Sequence, residues 1–248
     1  MSRSVAIVQA RVGSSRLPNK VFLKVGELLL IERVINVLKH SSEINDIVVA
    51  TTLKEQDDII IEWCLENKIK YFRGPEDDVL KRYYDCALNF KADIIIRITA
   101  DDPFKDYLLI DKMIKLFKQK TLDFLCNNNP PTFPEGADIE IFNLKTLKKM
   151  HTNAKGEFQR EHVTQFCHQN KSLFKYQNLK SKEDFSQYRL TIDTPLDLDF
   201  CNKLCYLLPN LKSKNLPLQQ IINVLQRNKD FALSNITEKR SDMFKKQQ

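Results

Sequence analysis

Glycine is scarce in this chain, five residues in 248, and the familiar glycine-rich nucleotide cradles are missing with it. G-x-G-x-x-G is absent. The phosphate-loop consensus fails as well: Asn19 precedes Lys20 where a second glycine is needed, and Val21 follows where a Ser or Thr is needed. Six cysteines are too few for a disulfide scaffold. None form a C-x-x-C pair, which argues against a zinc ribbon or a thioredoxin-like motif. No apolar run approaches the ~18 residues of a membrane span. Ser4–Val8 is too short for a signal-peptide core, and Arg11 and Arg16 follow it. The expectation is a cytoplasmic protein with reduced thiols and no membrane partner.

What is present suits a soluble globular chain, with 42% hydrophobic and 29% charged residues. The length fits one large α/β domain or two small ones. No linker forces a division, so residues 1–235 are expected to form one domain, followed by a basic tail at 236–248. The net charge of +7 favours anionic partners without naming one. Its distribution says more: residues 1–20 carry Arg3, Arg11, Arg16 and Lys20 and no acid.

Short apolar runs alternate with helical patterns through the first half. Strands are expected at Val5–Val8, Ile47–Ala50, Tyr71–Phe72 and Ile94–Ile98. Between them, Ile31, Val34, Ile35 and Leu38 make one helix face, Ile60, Trp63 and Cys64 a second, and Ile110, Met113, Ile114 and Phe117 another. Asp77 and Asp78 open a helix running to Leu88. This alternation argues for a mostly parallel α/β sheet covered on both faces. The second half is less regular. Asp138–Phe142 alternates like a half-exposed strand, Phe158–Gln169 reads as a helix, and Phe174–Leu179 and Tyr188–Ile192 read as strands. Leu198–Leu208 and Leu218–Leu225 read as closing helices. Residues 125–180 are expected to leave the sheet, as a lid or dimer arm.

Three strand ends carry chemistry. The first is Gln9-Ala10-Arg11-Val12-Gly13-Ser14-Ser15-Arg16-Leu17-Pro18-Asn19-Lys20. Gly13 lets the backbone approach an anion, and its N–H with those of Ser14 and Ser15 can form a nest. Arg11 and Arg16 can bind phosphate bidentately, and Lys20 adds a compact charge. The alternative is a plain basic surface loop. The second is Arg97-Ile98-Thr99-Ala100-Asp101-Asp102-Pro103, whose carboxylates suit Mg²⁺ beside substrate phosphates, or else make a turn and helix cap. The third is Arg189–Leu198, where Thr194 and Pro195 explain themselves as N-cap and first helical residue but leave Asp193 unexplained.

Together with Gly74-Pro75-Glu76-Asp77-Asp78-Val79-Leu80 and Arg160-Glu161-His162-Val163-Thr164, these motifs resemble the spore-coat-polysaccharide (SpsF-type) branch of the cytidylyltransferases. That branch is related to acylneuraminate and 3-deoxy-manno-octulosonate cytidylyltransferases. The resemblance runs from about residue 4 to 200. Two positions depart from it: Leu28, where the family usually has Pro, and Asp102, where the branch often has Cys. It implies a Rossmann-like, mostly parallel sheet of the nucleotide-diphospho-sugar transferase type. It also implies transfer of CMP from CTP to a sugar acid or related anionic acceptor, with release of pyrophosphate, in surface polysaccharide or glycan biosynthesis. Arg11, Ser14, Arg16 and Lys20 would hold the triphosphate, with Ala10, Gly13, Ser15 and Thr99 completing the nucleotide site. Arg11, Lys20 and Asp101 would be catalytic, and Asp101 and Asp193 would share Mg²⁺. A homodimer is expected from the relatives.

For the acceptor, the polar clusters are Glu135–Asp138 and Arg160–His162. Arg160 can pair with a carboxylate, whereas His162 shares a helical face with Phe158 and Phe166 and reads equally as a packed histidine. A nucleotide-sugar glycosyltransferase, a nucleic-acid binder and a non-catalytic nucleotide-binding protein are the competing classes. The second lacks an aromatic-studded basic motif, so no nucleic-acid partner is expected.

Overall fold

The computed structural model describes residues 2–212 and 214–235, and the tail expected at 236–248 lies outside the described residues. A seven-stranded sheet has the order β5-β4-β1-β6-β8-β7-β9. Its strands are β1 (Ser4–Gln9), β4 (Asp46–Thr52), β5 (Lys70–Gly74), β6 (Ile94–Thr99), β7 (Phe124–Cys126), β8 (Glu140–Asn143) and β9 (Tyr176–Asn178). β8 runs antiparallel to both its neighbours; the remaining pairs are parallel. β2 (Lys24–Val25) and β3 (Leu28–Leu29) form a separate hairpin. Gly26 turns it at φ +65°, where an added Cβ would meet the Lys212 backbone at 2.7 Å.

Helices cover both faces, as the strand sequences require. Ala6 and Val8 join one apolar cluster with helices α1 (Leu30–Lys39), α2 (Asp58–Glu66), α4 (Tyr107–Gln119), α8 (Pro195–Leu207) and α9 (Leu218–Arg227). Val5 and Ile7 point the other way, to α3 (Val79–Asn89), α5 (Leu144–Asn153) and α7 (Gln165–Gln169). α6 (Gly156–Glu161) and α10 (Lys229–Ala232) complete the set. The sequence periodicities match: Ile31, Val34, Ile35 and Leu38 are buried, as are Ile60, Trp63 and Cys64.

Four expectations change. Residues 125–180 do not leave the sheet as a whole, since they supply β8, β9 and most of β7; the chain departs between β7 and β8, through residues 127–139, and between β8 and β9, through α5, α6 and α7. β8 is not half-exposed. Helices cover both of its faces, and its one acid, Glu140, is buried opposite Arg97 in register. The helix expected over 158–169 is two helices, broken where Val163 takes φ +54°. The break turns Thr164 and His168 toward Glu140, and those two bonds outweigh helical continuity. Tyr188–Ile192 is not a sheet strand. It makes one parallel bridge, Arg189 to Glu135, because the segment beside it has already left the sheet.

β1 and β6 pair in register to their last residues, Gln9 opposite Thr99. The Ala100 N–H still donates to the Gln9 carbonyl at 3.1 Å. The loops after these strands therefore start side by side at the carboxyl edge of the sheet, where open α/β sheets hold ligands. Ile192 N–H donates to the Asp101 carbonyl at 2.9 Å and brings the third motif to the same place.

α8 begins with a capping box in which the Thr194 hydroxyl accepts the Asp197 N–H and the Asp197 carboxylate accepts the Thr194 N–H. Thr194→Ala should cost about 1 kcal/mol. In a chain of this size that lowers the melting midpoint by about 2–4 °C, measurable in a thermal melt.

Candidate active site

A cleft of about 410 Å³ opens at this edge. Ala10, Arg11, Gly13, Ser14, Ser15, Arg16 and Lys20 line it, with Thr99, Asp101 and Asp193. The ten nucleotide and metal candidates thus converge on one space, although they come from three distant stretches of chain.

Lys20 is the centre of it. Its ammonium donates to Asp101 Oδ2 at 2.9 Å, Asp193 Oδ1 at 2.8 Å and the Ile192 carbonyl at 3.0 Å. All three N–H bonds of an ammonium are thereby used. Burial works to lower the lysine's pKa, but the two carboxylates outweigh it and hold the value above the usual range. The same pairing holds the half-buried Asp101 below its ordinary value against the pull of desolvation. Its neighbour Asp102 goes the other way: burial, with Asp101's charge beside it, raises its pKa despite Lys105 at 2.8 Å.

The loop 10–20 winds around one residue. The Val12 carbonyl accepts from Ser14 N–H at 2.8 Å and Asn19 N–H at 3.1 Å. The Ser14 amide is therefore spent inside the loop, and the expected three-amide nest loses a member. A Cβ on Gly13 would lie 2.6 Å from Gln56 Nε2, the free end of a flexible side chain. Arg11 pairs with Glu76 at 3.3 Å and Arg16 with Asp193 at 3.2 Å; both arginines are about half exposed. Such pairs contribute ~0–1 kcal/mol and yield readily to a phosphate.

The acceptor candidates divide. Glu135, Asp138 and His162 line the cleft. Glu135 is paired with Arg189 at 2.9 Å. His162 packs edge-on against Phe158, centroids 4.7 Å apart, and burial lowers its pKa, so it is both packed and cleft-facing. It does not share a helix with Phe166, because of the break at Val163. Arg160 lies outside the lining, paired with Asp78 at 2.6 Å and bonded to His151.

Charged residues that no motif singled out as a pair also form the wall of the cleft and the layer behind it. Arg97 donates to Glu140 at 2.8 Å, and Glu140 also accepts from Thr164 and pairs with His168 Nε2 at 2.7 Å. His168 sits in this network. Arg189 grips buried Asp197 with two nitrogens, at 2.8 and 3.0 Å. The polar residues inside otherwise apolar strands, Arg97 and Glu140, were the available signal. Asp197-Leu198-Asp199 is not a glycosyltransferase-type metal motif: Asp197 is fully buried on Arg189, and Asp199 faces solvent with Lys203.

A model of the cytidylyltransferase family matches residues 5–231. The chain belongs to the cytidylyltransferase family. It is 32% identical to the spore coat polysaccharide biosynthesis protein SpsF of Bacillus subtilis, over 98% of this chain and all of that protein. An uncharacterized protein of Methanocaldococcus jannaschii is 38% identical over 90% of each chain. The solved structure of a cytidylyltransferase from Leptospira borgpetersenii superposes with a TM-score of 0.88 and 32% identity, covering 97% of this chain and 100% of that one. A CMP:2-keto-3-deoxy-manno-octonic acid synthetase complexed with CTP, 17% identical with a TM-score of 0.63 over 84% of this chain, shares the fold. The protein is thus a nucleotidyltransferase of α/β architecture.

In this cytidylyltransferase Asp101 and Asp193 present hard oxygen donors beside the phosphate loop, the donor set magnesium takes together with substrate phosphates. Among the described residues no group of three or more His, Cys, Asp or Glu side chains forms a metal site. A cation held by these two aspartates would draw its other ligands from water and substrate.

Glu140 titrates near pH 2: burial raises its pKa, and Arg97 and His168 bring it down from 4.5 to about 2. A depressed carboxylate stabilises the fold fully above its unfolded value and loses that contribution as pH falls toward the folded one. Glu140→Gln leaves Arg97 without its counter-ion and should cost about 3–5 kcal/mol at pH 7. In urea titrations the wild type's advantage should shrink between pH 4.5 and about 2.

Proposed function

We propose that this cytidylyltransferase transfers the cytidylyl group of CTP to a hydroxyl of a sugar acid or related small anionic acceptor, releasing pyrophosphate, on the route to a surface polysaccharide. The carrying observation is the Lys20 ammonium between Asp101 and Asp193, at the foot of a loop bearing Arg11 and Arg16. The family membership supports the nucleotide, and the SpsF relative supports the destination.

In the reaction the acceptor hydroxyl gives up its proton to water and its oxygen bonds to the α-phosphorus. The bond from that phosphorus to the oxygen bridging the β-phosphate breaks, and pyrophosphate leaves with the electron pair. Charge grows on the non-bridging and departing oxygens, so fixed cations placed there lower the barrier. Arg11 and Arg16 exchange weak, half-exposed ion pairs for bidentate contacts to phosphate. Lys20 reaches a phosphate by releasing one of its three present acceptors. Glu135, Asp138 and His162 face the acceptor end. Asp101 and Asp193 would hold Mg²⁺, which when bound supplies further positive charge to the reacting phosphates.

Pyrophosphate release is expected with CTP, and not with UTP, GTP or ATP, when a panel of sugar acids and sugar phosphates is assayed with Mg²⁺. Neither release nor CTP-dependent thermal stabilisation in any well would overturn the proposal. Asp101→Asn should lower turnover by about 10²–10³-fold, the loss typical of one transition-state stabiliser. Near-normal turnover would remove Asp101 from the mechanism.

A further inference from the structure

Asp57 is fully buried, immediately before α2. An aspartate there ordinarily accepts an N–H from the first turn of its own helix. Asp57 makes no such bond. Its Oδ1 instead accepts the Val12 N–H across 45 residues, at 2.8 Å, and its Oδ2 accepts the hydroxyl of fully buried Thr52. Holding a carboxylate in the interior is costly unless its oxygens are bonded, and forgoing the local cap adds to that cost. Both are spent on a single backbone amide, that of the residue around which the phosphate loop winds: Val12's carbonyl takes the Ser14 and Asn19 amides. With its N–H tied to Asp57 and its carbonyl tied to the loop, Val12 is fixed at both ends. Gln56, next along from Asp57, is the residue that abuts Gly13.

We propose that Asp57 is the positioning residue of the phosphate loop. It touches no substrate. Through Val12 it presets the turn from Arg11 to Asn19, so that the loop's ordering is complete before a triphosphate arrives. Binding to a preset loop avoids the entropy of arranging it. The proposal rests on the nucleotide reading above, because it takes that loop as the triphosphate site.

The test compares the full chain with Asp57→Asn and Asp57→Leu by calorimetric titration with CTP, inorganic tripolyphosphate and cytidine in the presence of Mg²⁺. Asn keeps an oxygen that can accept the Val12 N–H; Leu fills similar space with no acceptor. The Leu variant should lose at least about tenfold in affinity for CTP and tripolyphosphate, with cytidine affinity unchanged, and the Asn variant should recover most of the loss. If the Leu variant does not fold, Asp57→Ala takes its place; if Ala fails too, Thr52→Val, which loosens the carboxylate from behind, should weaken CTP and tripolyphosphate but not cytidine. A folded variant lacking the acceptor that binds CTP like the wild type overturns the positioning role and leaves the nucleotide reading standing. So does an equal loss for CTP and cytidine, which marks a general structural defect. A wild-type chain that binds neither CTP nor tripolyphosphate overturns both.

Discussion

One ammonium holds the catalytic edge together. Lys20 joins the loop after β1, the end of β6 and the segment leading into α8, three pieces separated by 81 and 173 positions in sequence. Without that cation two carboxylates would face each other in a half-buried cleft with their repulsion unopposed. With it their charges are offset, and one oxygen of each is engaged by the ammonium. The paired ends of β1 and β6 set this meeting: since Gln9 lies opposite Thr99, the residues just beyond each strand have no choice but to be neighbours.

The second layer repeats the same solution. Arg97 is answered by Glu140, Lys105 by Asp102 and Arg189 by Asp197 and Glu135, all largely out of water. Buried pairs of this kind add little net stability relative to apolar packing, yet breaking one is severe. Their use here is geometric. Arg97 and Glu140 are directly opposite on antiparallel strands, so their bond fixes the register of the reversed strand β8 as well as the floor of the cleft.

The first half of the fold was legible because its strands and helices announce themselves by unbroken apolar runs and clean helical faces. The second half was not. The three residues of β7 are too few for a pattern, and α5 shows only Leu144, Leu147 and Met150 as its apolar side, among four lysine and histidine residues. Phe158–Gln169 reads as one helix because local propensity knows nothing of Glu140, whose bonds to Thr164 and His168 require the bend at Val163. The loop at 10–20 and the two aspartates were legible as motifs at strand ends. Arg160 illustrates the limit: its charge was visible, but whether it met an acceptor or Asp78 depended on how α6 and α3 pack.

The saturation of Lys20 constrains how the site is used. An ammonium has three donors, and here each is taken. It cannot add a phosphate oxygen without giving up a carboxylate or the Ile192 carbonyl, and a divalent cation cannot lie between the two aspartates while the ammonium is there. These two demands are solved by one movement. A triphosphate that drew Lys20 outward would gain its charge and at the same time clear the oxygens of Asp101 and Asp193. On the proposed function the anion would be the first comer, and the loop that would receive it has its backbone already tied down, at Val12 to Asp57.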